Sequence, residues 1–185
     1  MHRGMARVPA AALALLGCLA PLRAATLERL SLGDMIQKST AIVRGQIGGS
    51  YAAFRGNMIY THVSVAVRET LKGGAQASVD VVLPGGAVGN VRQTYSGVPQ
   101  LAGGKEYVLF LWTGKSGLTQ VIGFTQGVFS LSSGAGGQSM AIQQSTSDPM
   151  VDPASGQVIQ NTSGIALRLS DLRSLIANAS TGAAR

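Results

Sequence analysis

The chain is poor in the residues that make covalent or metal chemistry, with one cysteine, two histidines and only 12% charged residues among its 185. Each scarcity excludes something. Cys18 stands inside the apolar N-terminal stretch, so a chain cleaved after Ala24 has no thiol, and with it no disulfide and no thiolate metal site. His62 is the only histidine beyond that point, which excludes His-based metal clusters and obliges any catalytic triad to use it. The bases occur singly, without the runs that mark nucleic-acid or membrane patches. Setting aside Arg3, Arg7 and Arg23 leaves twelve of the fifteen bases against eight acids, so the formal +7 becomes +4. Stability then rests on the core alone, and a chain of this length buries about two-thirds of its unfolded surface.

What is present begins with an export signal. Arg3 and Arg7 form a positive head, Val8 to Leu22 is uncharged, and the small residues Ala24 and Ala25 follow. The apolar stretch is too short to span a bilayer comfortably, and Pro9 and Pro21 interrupt it as a helix. Residues 1–24 are therefore read as a signal peptide with Ala25 as the new N-terminus, and residues 25–185 as a single domain, secreted or periplasmic. A second reading stays open, because Leu15-Leu16-Gly17-Cys18 looks like a lipobox. In that case Cys18 is acylated and the domain is a membrane-anchored lipoprotein.

Met58 to Gly73 is the organising stretch. Ile59, Thr61, Val63, Val65, Val67, Glu69 and Leu71 alternate with Tyr60, His62, Ser64, Ala66, Arg68 and Thr70, giving a long antiparallel strand with one oily and one wet face. Ala41 to Ile47, extending to Phe54, precedes it across the turn Arg55-Gly56-Asn57, and Val79 to Leu83 follows. Val88 to Tyr95 is read as a further, polar strand. Tyr107 to Trp112 is apolar throughout, as expected of a strand buried on both sides, and Leu118 to Phe124 returns as its hairpin partner. Gly127 to Leu131 is another strand, and Ser132 to Gln138 reads as a mobile loop. Val158-Ile159 is a small strand. Two helices flank this series. The first is capped by Ser31, with Leu32, Met35 and Ile36 on one side, and is expected to plug one end of the sheet structure. The second is capped by Ser170, with Leu172, Leu175, Ile176 and Ala179 on one face and fraying beyond Ser180. Short strands punctuated by glycine predict a mainly β fold, a barrel or sandwich, with its core at about 41–131 and a weaker extension over 132–185.

The succession Ile59-Tyr60-Thr61, Leu71-Lys72-Gly73, Pro84-Gly85-Gly86, Gly97-Val98-Pro99, Tyr107 to Leu111 and Gln126-Gly127-Val128-Phe129 resembles a family of exported bacterial domains without an assigned function. The end of one strand at Leu71-Lys72-Gly73, with Gly104 to Leu109, is more distantly similar to the netrin-like domain of the tissue inhibitors of metalloproteinases. That likeness implies a five-stranded closed barrel of the oligonucleotide/oligosaccharide-binding type, and with it the expected fold is one OB-like antiparallel barrel of five to six strands. Their inhibitory chemistry does not transfer, since it needs a disulfide-bonded N-terminal cysteine, and Ala25 or a lipidated Cys18 stands there instead.

No reactive constellation emerges. No acid on its own strand face orients His62, and the reading is a solvent-facing histidine. Asp80 and Glu106 could approach each other in a barrel and work as a carboxylate pair, but acids beside strand ends are usually solvated. Gly114-Lys115-Ser116 has neither the upstream glycine nor the following helix of a P-loop. Asn161-Thr162-Ser163 and Asn178-Ala179-Ser180 match the glycosylation triplet, which matters only in a eukaryotic source. The sequence thus predicts a non-enzymatic exported module, with no cofactor, that binds another exported protein or a cell-surface polymer and not nucleic acid. Its candidate contacts are Tyr60, His62 and Arg68 on the polar strand face, and Arg92 beside the glycine loop. The alternative function is an accessory or inhibitor of an exported protease.

Overall fold

The computed structural model describes residues 27–134, 137–145, 148–159 and 164–182. The export signal, Cys18, the Ala24/Ala25 junction and the triplet at Asn161 lie outside the described residues. In chain order the elements are β1 (Leu27–Glu28), α1 (Leu32–Lys38), β2 (Ala41–Arg55), β3 (Met58–Lys72), β4 (Ser78–Pro84), β5 (Gly86–Val88), β6 (Val91–Gln93), β7 (Glu106–Thr113) and β8 (Thr119–Val121). A 3-10 turn (Phe124–Gly127) precedes β9 (Val128–Ser133), β10 (Ser139–Gln143), β11 (Met150–Val151), β12 (Val158–Ile159), β13 (Ala166–Arg168) and α2 (Leu169–Gly182).

The protein is mainly β and its main sheet is antiparallel, in the order β13-β10-β9-β7-β2-β3-β4, with β8 paired to β7. β7 sits near the middle and is apolar on both faces because both are covered. Tyr107, Leu109 and Leu111 join Val43, Val63, Val65 and Val81 in one core layer. Val108 and Phe110 join Met35, Ile42, Phe129, Leu172 and Ile176 in the other.

The first layer is enclosed by the sheet itself, as β2, β3, β4, β7 and β8 curl around it. The expected closed barrel is not formed. Eight strands make up the sheet, and among the described residues no ladder joins β4 to β8. The reason is local. β8 is only three residues long, and the chain leaves it through Gly123 (φ 61) and Phe124 (φ 56), a left-handed bend that no strand can continue. A groove of about 280 Å³ marks the seam, walled by Val82, Leu83 and Pro84 on one side and Trp112, Gln120 and Val121 on the other.

The second layer is covered by α1 and α2, which touch each other. α1 therefore lies on a sheet face and does not plug an end. It is nucleated as its sequence predicts: Asp34 N–H donates to Ser31 Oγ at 3.0 Å and Ser31 N–H donates back to Asp34 Oδ2 at 3.2 Å. α2 follows β13 without a break and begins at Leu169, so Ser170 lies inside the helix and is not its cap. Leu172 and Ile176 are fully buried, whereas Leu175, expected on the same face, is 46% exposed. Three further expectations are corrected. Residues 88–95 form the outer part of a β5–β6 hairpin and not one strand. Ser132 and Ser133 belong to β9 and not to a loop, and beyond them Gly134 N–H donates to Gln138 O at 2.6 Å. β10 and β13 extend the sheet where the sequence pattern is weak.

β3 alternates as expected up to Val67 and then changes face. The register runs Gly45↔Val67 and Arg44↔Glu69, so Arg68 is an extra residue on β3. Such a bulge turns the following side chains over. Leu71 then packs in the helix-covered layer and Glu69 meets α2. Arg173 Nε and Nη2 donate to the two Glu69 oxygens at 2.9 and 2.6 Å, and Arg44 stands 3.7 Å away. The Arg173 hydrogen bonds outweigh burial and hold the Glu69 carboxyl below its ordinary value of 4.5. A depressed folded pKa contributes stability that is complete above 4.5 and is lost as pH falls through the folded value. Glu69→Gln should therefore flatten the loss of stability between about pH 6 and pH 3 by roughly 1 kcal/mol, the pair being partly solvent-screened. Denaturant unfolding across that range checks it, and identical acid sensitivity in both proteins would refute it.

Candidate functional site

The half of the β2–β3 hairpin farthest from β7 carries the features that a core does not require. Its two-residue turn, with Gly56 at φ 62, sets the register. Arg55 then faces Met58, Ala53 faces Tyr60 and Tyr51 faces His62, all on the outer side. On that side the Tyr51 and His62 rings stack, with centroids 4.8 Å apart and planes 5° from parallel. His62 Nδ1 lies 2.7 Å from Asp80 Oδ2 of β4. An ionised carboxylate only accepts, so Nδ1 carries the hydrogen and the Asp80 contact fixes the ring. The expectation that no acid orients His62 is thus corrected: Glu69 of its own strand is seven residues away and held by Arg173, but the neighbouring strand supplies an acid on the diagonal, with Ser64↔Asp80 in register.

The inner side of the same hairpin opens into a cleft of about 400 Å³, where Ser50 and Thr61 face Gly85, Gly86, Arg92 and Tyr95. Thr61 Oγ1 donates to Gly85 O at 2.8 Å, and Gln93 braces the hairpin end by accepting from Ile59 N–H at 2.7 Å and donating to Asn57 O at 2.9 Å. Gly86 has φ 138, and a Cβ there would stand 2.6 Å from Thr61 Oγ1, so the loop lies against the hairpin only because this residue is glycine.

The four predicted contact residues do not form one surface. Tyr60 and His62 share the outer face. Arg92 borders the inner cleft, on the other side of the ribbon. Arg68 lies six residues along β3 from His62, roughly 20 Å in an extended strand, and donates to Gln46 Oε1 at 2.8 Å. Asp80 and Glu106 are not a couple. β3 and β2 lie between their strands in the sheet, and each acid is engaged elsewhere, Asp80 with His62 Nδ1 at 2.7 Å and Glu106 with Arg44 Nη2 at 3.0 Å. Gly114-Lys115-Ser116 is the β7–β8 hairpin turn.

Sequence reasoning missed Tyr51. The signal for Tyr51 was available, since counting back from a two-residue turn after Arg55 places it opposite His62. The chain has only nine aromatic residues, and four of them, Tyr51 (63%), Phe54 (50%), Trp112 (47%) and Tyr95 (42%), are largely exposed. Tyr51 and Phe54 belong to the distal hairpin and Tyr95 to the cleft beside it.

No family model, no curated protein and no solved structure matches this chain. What the site does has to follow from its own chemistry. Among the described residues no group of three or more His, Cys, Asp or Glu could hold a metal ion, and no helix is long and apolar enough to cross a membrane. The oriented imidazole has its tyrosine neighbour stacked on it, and no serine among the described residues is hydrogen-bonded to the ring. The arrangement offers a flat aromatic surface outside and hydrogen-bonding groups inside, which suits holding a ligand.

Proposed function

We propose that the chain is an exported, non-catalytic binding module that takes an extended surface polymer along the distal β2–β3 hairpin. The observation that supports it is the exposure of Tyr51, Phe54 and Tyr95 around one ribbon in a chain so poor in aromatics. Exposed rings on a rigid strand present apolar area at little entropic cost, and the polar tips of tyrosine tolerate water at the rim. The finer OB-like description belongs to this reading. Barrels of that type hold oligomers across a face of adjacent strands flanked by loops, and the distal hairpin beside the Gly85-Gly86 loop has that arrangement. Tyr51 and Tyr60 would stack on the polymer, His62 would back Tyr51, and Arg92 would meet polar groups in the cleft.

The test is retention of the purified domain on insoluble cell-envelope polysaccharide, measured by co-sedimentation. Tyr51→Ala should weaken retention about tenfold, the equivalent of ~1.4 kcal/mol for one stacked ring. Its unfolding free energy should stay within about 0.5 kcal/mol of the parent, because the ring is exposed. Retention unaffected by Tyr51→Ala and by Arg92→Ala, or no greater than that of an unrelated β domain, would overturn the proposal.

A further inference from the structure

A second recess, remote from the hairpin tip, lies where the first turn of α2 overhangs the sheet. It is about 330 Å³ in volume and is lined by Arg44, Arg168, Arg173, Gln138, Ser139 and Ser170, with no acid in the lining. Three guanidinium groups facing one small space repel each other unless something negative relieves them. Two acids do so in part. Glu69 holds Arg173 by two hydrogen bonds, and Glu106 holds Arg44. Those pairings fix the two arginines from outside the recess; a third acid, Asp171, meets Ser170 and forms no ion pair with the three guanidinium groups, so one arginine is left without a carboxylate partner.

That arginine is Arg168. No carboxylate among the described residues lies within ion-pair reach of it, and it projects from β13 opposite Met140, beside Ser139. Donors also outnumber acceptors here. Arg44 Nε has no acceptor, the Ser139 hydroxyl has no partner among the described residues, and Ser170 Oγ reaches Asp171 Oδ1 only at 3.2 Å. Guanidinium forks and hydroxyls around a shallow hollow are the donor set that matches a tetrahedral oxyanion.

We propose that this recess binds a single phosphate or sulfate group, either as the free ion or as a substituent on a larger molecule. Arg168 supplies the unneutralised charge, Arg173 its remaining guanidinium donors, and Ser139 and Ser170 the hydroxyl donors. The site does not depend on the hairpin and can be tested whatever the hairpin binds.

The experiment is titration calorimetry of the intact domain with inorganic phosphate, with inorganic sulfate, and with dextran sulfate against uncharged dextran. Arg168→Gln should weaken binding about tenfold, as loss of a charge-assisted contact does. It should leave the melting temperature unchanged, because Arg168 holds no ion pair in the fold. Lys115→Gln, in the β7–β8 turn, removes the same charge elsewhere and should bind as the parent does. Ser139→Ala with Ser170→Ala should give a smaller loss. Binding of the inorganic ions identifies the free ion as sufficient. Binding of dextran sulfate alone, abolished by Arg168→Gln, identifies a polymer-borne group. Equal weakening by Arg168→Gln and Lys115→Gln would show only general charge attraction and overturn the site, as would no binding of any probe.

Discussion

Phe110→Ala should lower stability by about 3–5 kcal/mol and the melting temperature by roughly 10 °C or more. Phe110 is fully buried at the middle of β7, paired in register with Ile42 of β2. Its ring meets Phe129 at 5.4 Å between centroids, tilted by 38°. Met35, Leu172 and Ile176 belong to the same layer, so the ring is the point where sheet and helices meet. Removing it forfeits the transfer free energy of the ring and leaves a space that two helices and a strand cannot jointly fill. The pairing with Phe129 adds ~0.5–1.5 kcal/mol to that loss. Against the ~5–15 kcal/mol available to a typical domain, this is a large share. Trp112→Ala, two residues along the same strand, is the internal comparison, because that indole is half exposed at the seam. Denaturant unfolding separates the two. If Phe110→Ala cost no more than Trp112→Ala, the helix-covered layer would not be the main source of stability.

The difference between those neighbours also shows how far the sequence reaches. Tyr107 to Trp112 reads as a doubly buried strand, and it is one as far as Leu111, because an unbroken apolar run leaves no wet face. The alternation of β3, the turn at Gly56, the box at Ser31 and Asp34 and the small strand at Val158 follow from chemistry within a few residues, and all are found. The misses come from longer range. One extra residue at Arg68 turns Glu69 and Leu71 to the opposite face, and nothing in a period-2 pattern announces it. The barrel stays open because β8 stops after three residues, which only the backbone at Gly123 and Phe124 reveals. Asp80 reaches His62 from another strand, and that diagonal depends on the β3–β4 register. Of the candidate site, the strand face and the glycine loop were legible. That they form opposite sides of one ribbon was not, because Tyr51 and Tyr95 join them only once β2 and the β5–β6 hairpin are placed.

Gln126 carries the other large expected effect, through a buried side-chain amide. Its side chain is almost wholly buried. Oε1 accepts from Leu30 N–H at 2.8 Å, and Nε2 donates to Glu28 O at 2.9 Å. Its own carbonyl accepts from Gln143 Nε2 at 2.7 Å, while Gln143 Oε1 accepts from Ile165 N–H at 3.1 Å. One amide thus pins the segment leading into α1 to the 3-10 turn, and a second links that turn to the approach to β13. Gln126→Ala would leave Leu30 N–H and Glu28 C=O without partners in a partly buried setting, at about 1–3 kcal/mol for each group left unpaired. The total expected for the two groups is ~2–6 kcal/mol. Gln126→Glu keeps an acceptor for Leu30 but sets a carboxylate against the Glu28 carbonyl, so it should not rescue the loss. Hydrogen exchange resolves the mechanism better than global unfolding. The Leu30 amide should lose protection in Gln126→Ala by at least an order of magnitude, and Met35 N–H of α1 should follow it. The amides of β7 should change only by the global loss of stability. An unaltered Leu30 exchange rate would mean that the segment is held by Leu30 and Leu32 packing on the helix-covered layer, and that the buried amide is not what anchors it.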